Sequence, residues 1–176
     1  MKKLITYINE WKYDNDKNVS YKPHEIYKTK VRDQDELDRT LQAKLHVEIG
    51  PGTKKNPANL NDIDISEMDN LSEVFFDSEF KHIDISNWNV KNVTNVDRMF
   101  YRSKLESINM SNWNLNDFKW ERGGSQVFDY CNKLKVVDLS NMKETESNWS
   151  FIYSITHNYR RSKINFIEPK WVEDYR

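Results

Sequence analysis

The stretch Ile83-Asp84-Ile85-Ser86-Asn87-Trp88-Asn89-Val90-Lys91-Asn92-Val93-Thr94-Asn95-Val96-Asp97-Arg98-Met99-Phe100 decides the fold, because it recurs along the chain. Its opening aligns with three further segments: Asp62-Ile63-Asp64-Ile65-Ser66, Ser107-Ile108-Asn109-Met110-Ser111 and Val136-Val137-Asp138-Leu139-Ser140. The four serines, Ser66, Ser86, Ser111 and Ser140, lie 20, 25 and 29 residues apart. Three other landmarks keep the same order. An apolar pair follows each strand (Val74-Phe75, Met99-Phe100, Val127-Phe128). An asparagine and a bulky residue follow the serine (Asn87-Trp88, Asn112-Trp113, Asn141-Met142). A single apolar residue precedes the next strand (Phe80, Leu105, Leu134). Lys163-Ile164-Asn165-Phe166-Ile167 reads as a degenerate fifth strand.

A period in the twenties is the range of leucine-rich repeats. Alternate residues of a strand point to opposite faces, so both isoleucines of Ile63-Asp64-Ile65 face one way and Asp64 the other. A single unit has no means of burying that apolar face. Parallel stacking makes one core of Ile63, Ile65, Ile83, Ile85, Ile108, Met110, Val137 and Leu139. The expected fold class is therefore α/β: a short leucine-rich-repeat-like solenoid of about four units with parallel strands, over residues 59–149. Residues 1–58 do not repeat and read as a helical N-terminal α/β cap or a small functional domain. Residues 150–176, with Trp171, read as a C-terminal cap.

Within the N-terminal segment, Leu4, Ile8 and Trp11 form one helical stripe, and Ile26 to Val31 is a short strand. Asp33 or Asp35 caps a helix in which Leu37, Leu41, Leu45 and Ile49 recur every four residues. Gly50-Pro51-Gly52 stops it.

On these residues the chain resembles the BspA-like leucine-rich repeat of bacterial surface proteins, over about residues 59–142. Residues 83–100 carry the closest likeness, and Cys131 matches a cysteine common in that repeat just before the next strand. The resemblance implies a solenoid that binds proteins or surfaces, with no shared catalytic residues. The chain's repeats are few, and from the residues neither a secretion signal nor a wall anchor is expected.

Composition narrows the function classes. The 176 residues suffice for one domain with a core. Apolar residues make up 37 %, but an aromatic share of 13 % supplies large buried areas and argues against disorder. The net charge of −1 is unevenly spread: residues 1–58 are net +3, residues 59–158 net −6 and residues 159–176 net +2. From Asp62 to Glu79 there are seven acids (Asp62, Asp64, Glu67, Asp69, Glu73, Asp77, Glu79) and no Lys or Arg. Such a run repels nucleic acid and steers a basic partner, or is simply a solvated face. The single cysteine excludes an intramolecular disulfide. No run reaches the roughly 20 apolar residues of a membrane span, and Ile5 to Trp11 is too short for a signal peptide. A cytoplasmic protein is expected.

The candidate binding residues are the outward strand positions Asp64, Asp84, Asn109 and Asp138, the acids Glu67, Asp69 and Glu73, and Trp120. Stacked carboxylates roughly 4.8 Å apart repel one another, so a partner's Lys or Arg, a cation or local hydrogen bonds must compensate. Trp88 and Trp113, at equivalent places, read as an interior ladder or as interface anchors. Trp120 and Trp149 fall outside the consensus and are candidates for exposure. No catalysis, cofactor or metal is expected. His24, His46, His82 and His157 lack zinc-like spacing, Cys131 occupies a core position, and Gly123-Gly124 is no phosphate loop. That glycine pair reads as a bulged loop on the binding face. Tyr159-Arg160-Arg161-Ser162-Lys163 is too short a basic run to indicate nucleic acid.

The expected function is non-catalytic protein binding through the solenoid surface, where about 800 Å² per partner is needed. Two alternatives follow from the same residues. One is a mobile-element inhibitor that covers the nucleic-acid groove of a host enzyme with its acidic face. The other is a fragment of a surface adhesin. Exposed strand edges also allow oligomers through an end.

Overall fold

A computed structural model describes residues 29–116, 118, 126–159 and 162–175. The stripe of Leu4, Ile8 and Trp11, the first half of the Ile26 to Val31 strand, Trp120 and Gly123-Gly124 lie outside the described residues. Among the described residues the strands are β1 (Thr29–Lys30), β2 (Ala58–Asn59), β3 (Ile63–Asp64), β4 (His82–Asp84), β5 (Ser107–Asn109), β6 (Val136–Asp138) and β7 (Asn165–Ile167). The α-helices are α1 (Gln34–Ala43) and α2 (Glu146–Asn158). The architecture is mixed α/β. β2, β4, β5, β6 and β7 form a parallel sheet in that order, and β1 pairs in parallel with β3.

The register places Ile83, Ile108, Val137 and Phe166 in one row, and Asp84, Asn109, Asp138 and Ile167 in the next. The neighbour of Ile83 on the other side is Ala58, not Ile63, and the neighbour of Asp84 is Asn59, not Asp64. This corrects the expectation that Asp62–Ser66 stacks beneath β4. Hydrogen bonds show the same register. Leu60 N–H donates to the Asp84 carbonyl at 2.9 Å, as Ile85 does to Asn109 at 3.0 Å and Met110 to Asp138 at 2.9 Å. Ile63 is thus the counterpart of Trp88, and the first unit is 25 residues long like the second. The Ile63-Asp64 strand pairs instead with Thr29 and Lys30.

Beyond the strands the chain returns through tight turns. Residues four apart adopt a left-handed backbone there: Glu73 and Asp77 (φ 60° and 51°), Arg98 and Arg102 (52° and 59°), Gln126 and Tyr130 (53° and 60°). Each costs roughly 1–2 kcal/mol for a residue with a Cβ. In return, alternate N–H groups point along the stacking direction. Leu71, Glu73, Phe75 and Asp77 donate to the carbonyls of Asn95, Asp97, Met99 and Tyr101 at 2.8 to 3.0 Å.

All eight predicted core residues of the strands are buried. On the returning side Phe75, Phe100 and Phe128 stack at centroid spacings of 5.1 and 5.3 Å. Phe80, Leu105 and Leu134 close the core before the next strand. Trp88 and Trp113 are also interior: their indole N–H groups donate to the Leu60 and Ile85 carbonyls, each at 2.9 Å. The interior ladder, rather than an interface anchor, is what these tryptophans form.

At the N-terminal side Asp33 caps α1, accepting from Glu36 N–H at 2.8 Å. Leu37, Leu41 and Leu45 are buried, but Ile49 is 43 % exposed. The last turn, Lys44–Glu48, is π-helical, and its wider turn carries Ile49 out of the stripe. Gly50 follows at φ 69°. At the other end β7 supplies the fifth strand on β6. Helix α2, capped by the Thr145 hydroxyl on Asn148 N–H at 3.1 Å, is an element the repeat pattern did not foretell. No helix among the described residues is long and apolar enough to cross a membrane.

Candidate functional site

The outward strand positions are built from one local device. Asp84 Oδ1 accepts the Ser86 N–H at 2.9 Å, Asn109 Oδ1 that of Ser111 at 3.0 Å and Asp138 Oδ1 that of Ser140 at 3.0 Å. Asn59 does the same for Asn61 at 3.0 Å. Asp64 repeats it with Ser66 at 3.0 Å, although it lies outside the row. These are the side-chain turns that Asp and Asn favour.

Asp84 is held further. Burial by itself would raise its carboxyl, but the Ser86 N–H and hydroxyl and the Asn61 and Asn109 amides outweigh burial, so the group sits below the ordinary Asp range. The Asn61 amide donates to Asp84 Oδ1 at 3.0 Å. The carboxylate repulsion anticipated from the spacing is thus relieved within the chain, with Asn59 and Asn109 alternating with Asp84 and Asp138.

The acidic run from Asp62 to Glu79 is largely answered by bases from other segments. Lys44 pairs with Asp62 and, at 2.7 Å, with Glu48. Burial would lower the Lys44 ammonium, and the two carboxylates more than reverse this. Lys30 pairs with Glu67 at 2.7 Å and Arg98 with Glu73 at 3.3 Å, and Lys104 pairs with Glu79. Asp69 and Asp77 are exposed and make no ion pair among the described residues.

Part of that run, Glu67 to Asn70, lines an open groove of about 500 Å³. One wall is the segment entering α1, with Arg32, Asp33, Gln34 and Asp35; the other is Glu67 to Asn70 of the first unit. The Gln34 amide donates to the Ser72 carbonyl at 2.9 Å and fixes the walls relative to each other. Arg32 leans on Glu36 at 3.8 Å. Asp33 and Asp35 are favoured where they stand by the helix dipole. The groove therefore presents Asp33, Asp35, Glu67 and Asp69 on facing walls.

Of the residues singled out in the sequence, the structure brings Glu67 and Asp69 together in the groove and leaves Glu73 beyond its lining, bridged to Arg98. Asp84, Asn109 and Asp138 form the strand row, and Asp64 stands on β3. Asp33 and Asp35 join the groove without having been foreseen there. Their signal was the capping reading, which says where a helix begins and nothing about what faces it. Among the described residues no group of three His, Cys, Asp or Glu side chains is placed to hold a metal ion. Cys131 is buried, with its thiol pushed up by that burial.

A family model described as "Mycoplasma protein of unknown function, DUF285" matches residues 51–141, just over half of the chain. No curated protein and no solved structure matches.

Proposed function

We propose that this chain, which belongs to the family described as Mycoplasma protein of unknown function, DUF285, is a non-catalytic protein-binding module whose acidic groove receives a basic segment of a partner. The stacked units are read as a short solenoid of leucine-rich-repeat type, similar to the BspA-like repeat. Such an array supplies a rigid frame on which a binding surface is held at little entropic cost on association.

The observation that carries this reading is the groove itself, lined from two separate segments by Asp33, Asp35, Glu67 and Asp69, with Asp33 capping α1 and Glu67 paired with Lys30. Among the described residues that line it, Arg32 is the one basic side chain, and it leans on Glu36. Clefts lined by one sign of charge focus the field and speed the encounter with opposite charge. Specificity and on-rate are the properties such a surface confers.

The test uses a fluorescent peptide rich in lysine and arginine, titrated with the full chain and with Glu67→Lys/Asp69→Lys. The wild type is expected to bind it, and to bind much less tightly as salt rises, because exposed charges are screened beyond about 8–10 Å. The variant is expected to lose at least about tenfold in affinity. Binding that ignores both salt and the double substitution overturns the reading. Asp84→Asn serves as the control, since that substitution leaves the groove untouched.

A further inference from the structure

Helix α2 presents a stripe of aromatic residues that the groove reading does not use. Trp149, Tyr153 and His157 recur every four residues along it, and Tyr153 and His157 stack at 5.3 Å. The turn Lys170–Tyr175 lies across this stripe and brings in Val172 and Tyr175. Together they line a half-open pocket of about 240 Å³, in whose wall Ile152 and Val172 are buried. Trp149 is the hub of the rings, with Tyr175 at 5.0 Å, Tyr153 at 5.7 Å and Trp171 at 6.4 Å between centroids. The assembly is pinned at two points. The Trp171 indole N–H donates to the Met142 carbonyl, and the Tyr175 hydroxyl donates to Glu144 Oε1, each at 2.7 Å.

We propose that this cavity binds a small trimethylammonium compound of the choline class. Tyr153 and Tyr175 are 52 % and 55 % exposed, so their rings are not committed to the core. Ring faces are negative and attract a cation held within about 6 Å of the centroid, most strongly when that cation is poorly hydrated. The described lining contains no Lys or Arg. The chain on either side of the pocket, 143–157 and 168–176, carries Glu144, Glu146, Glu168, Glu173 and Asp174 against Lys143, Lys170, Arg176 and His157. The surrounding field therefore favours positive charge.

The lining also selects among cations. A primary ammonium brings three N–H donors that each require an acceptor, and a guanidinium brings five. As acceptors this wall offers the His157 imidazole and the Thr156 and tyrosine hydroxyls, the Tyr175 hydroxyl donating its own hydrogen to Glu144. A methylated ammonium has no N–H to satisfy and presents an apolar surface to Ile152, Val172 and the rings. Burying a donor-rich head against the apolar part of this wall would leave some of its N–H groups unpaired, which is the costlier outcome.

The experiment is a titration of the full chain with choline chloride, followed by tryptophan fluorescence and by NMR shifts of the indole N–H groups. Choline is expected to give a saturable change that its neutral carbon isostere does not. Tyr153→Phe keeps the ring and is expected to bind as the wild type does. Tyr153→Leu keeps bulk without the ring and is expected to bind at least about threefold more weakly. The exposure of Tyr153 makes both variants tolerable to the fold. No saturable change with choline, or equal binding of the neutral isostere, overturns the proposal. Equal binding by the Phe and Leu variants overturns the role of the ring. None of these residues lines the acidic groove, so the outcome is independent of that reading.

Discussion

Asn61 bridges two residues of the following unit: its side-chain oxygen accepts the Asn87 N–H at 2.7 Å while its amide donates to Asp84 at 3.0 Å. The bridge continues upward, where the Asn112 amide donates to the Asn87 side-chain oxygen at 3.3 Å. These contacts tie each turn to the next, and they make the row around Asp84 sensitive to protonation.

Asp84 carries a pH dependence with a definite sign. Its folded carboxyl lies below the unfolded value of about 3.9, so its contribution to stability is present above that value and is lost as pH falls through the folded one. Asp84→Asn is expected to fold, because Asn already fills the equivalent places at 59 and 109. Urea midpoints should fall more steeply for the wild type than for Asp84→Asn below about pH 4. Parallel acid limbs would show that the hydrogen bonds to Asp84 do not favour its charged form.

The indole ladder sets the second expectation. Trp113→Phe removes the donor to the Ile85 carbonyl and leaves that buried oxygen without this partner, in addition to lost volume. The loss should be about 2–4 kcal/mol in urea unfolding. Tyr153→Phe, on the exposed face of α2, should change stability by less than about 0.5 kcal/mol.

Two glycines separate close approach from backbone conformation. A Cβ on Gly52 would stand 2.1 Å from the His82 carbonyl oxygen and 2.6 Å from Ala58 N, at φ 77°. On Gly50, at φ 69°, the nearest such atom is 4.0 Å away. Gly50→Ala should cost about 1 kcal/mol, from conformation alone. Gly52→Ala should cost about 3 kcal/mol or more, because two backbone segments must part. Equal melting temperatures for the two variants would contradict this packing.

The left-handed residues of the returning turns offer a stabilising change. Asp77 is exposed at φ 51° and makes no ion pair among the described residues. Asp77→Gly is expected to raise stability by about 0.5–1 kcal/mol. Asp77→Val, β-branched, should lower it. A melt in which Gly is the worse of the two would mean that the turn is held by something other than its backbone preference.

Much of this was legible in the chain itself. The buried strand residues, the Phe75, Phe100 and Phe128 column, the Asp33 cap and the fifth strand all follow from short patterns whose physics is local. The repeat motif puts the strand beside β4 five residues too far along, at Ile63 rather than Ala58, for a physical reason. Asp64-Ile65-Ser66 makes the same side-chain turn as Asp84-Ile85-Ser86, so the motif marks a turn without saying which strand lies beside it. The discordant serine spacing of 20 was the warning: the Val74-Phe75 to Met99-Phe100 spacing of 25 points to Asn61 as the counterpart of Ser86.

The sequence by itself determined that parallel strands stack, which residues face inward, and where side chains of Asp and Asn close the turns. These depend on alternation and on hydrogen bonds two or three residues long. Only the tertiary structure decided the register of the first unit, the pairing of the acidic run with Lys30, Lys44, Arg98 and Lys104, and the facing walls of the groove and the aromatic cavity. Each of those joins segments that lie 18 to 38 residues apart, as Lys44 to Asp62 and Gln34 to Ser72 do. A charge or a ring carries no record in the chain of which distant partner will come to stand against it.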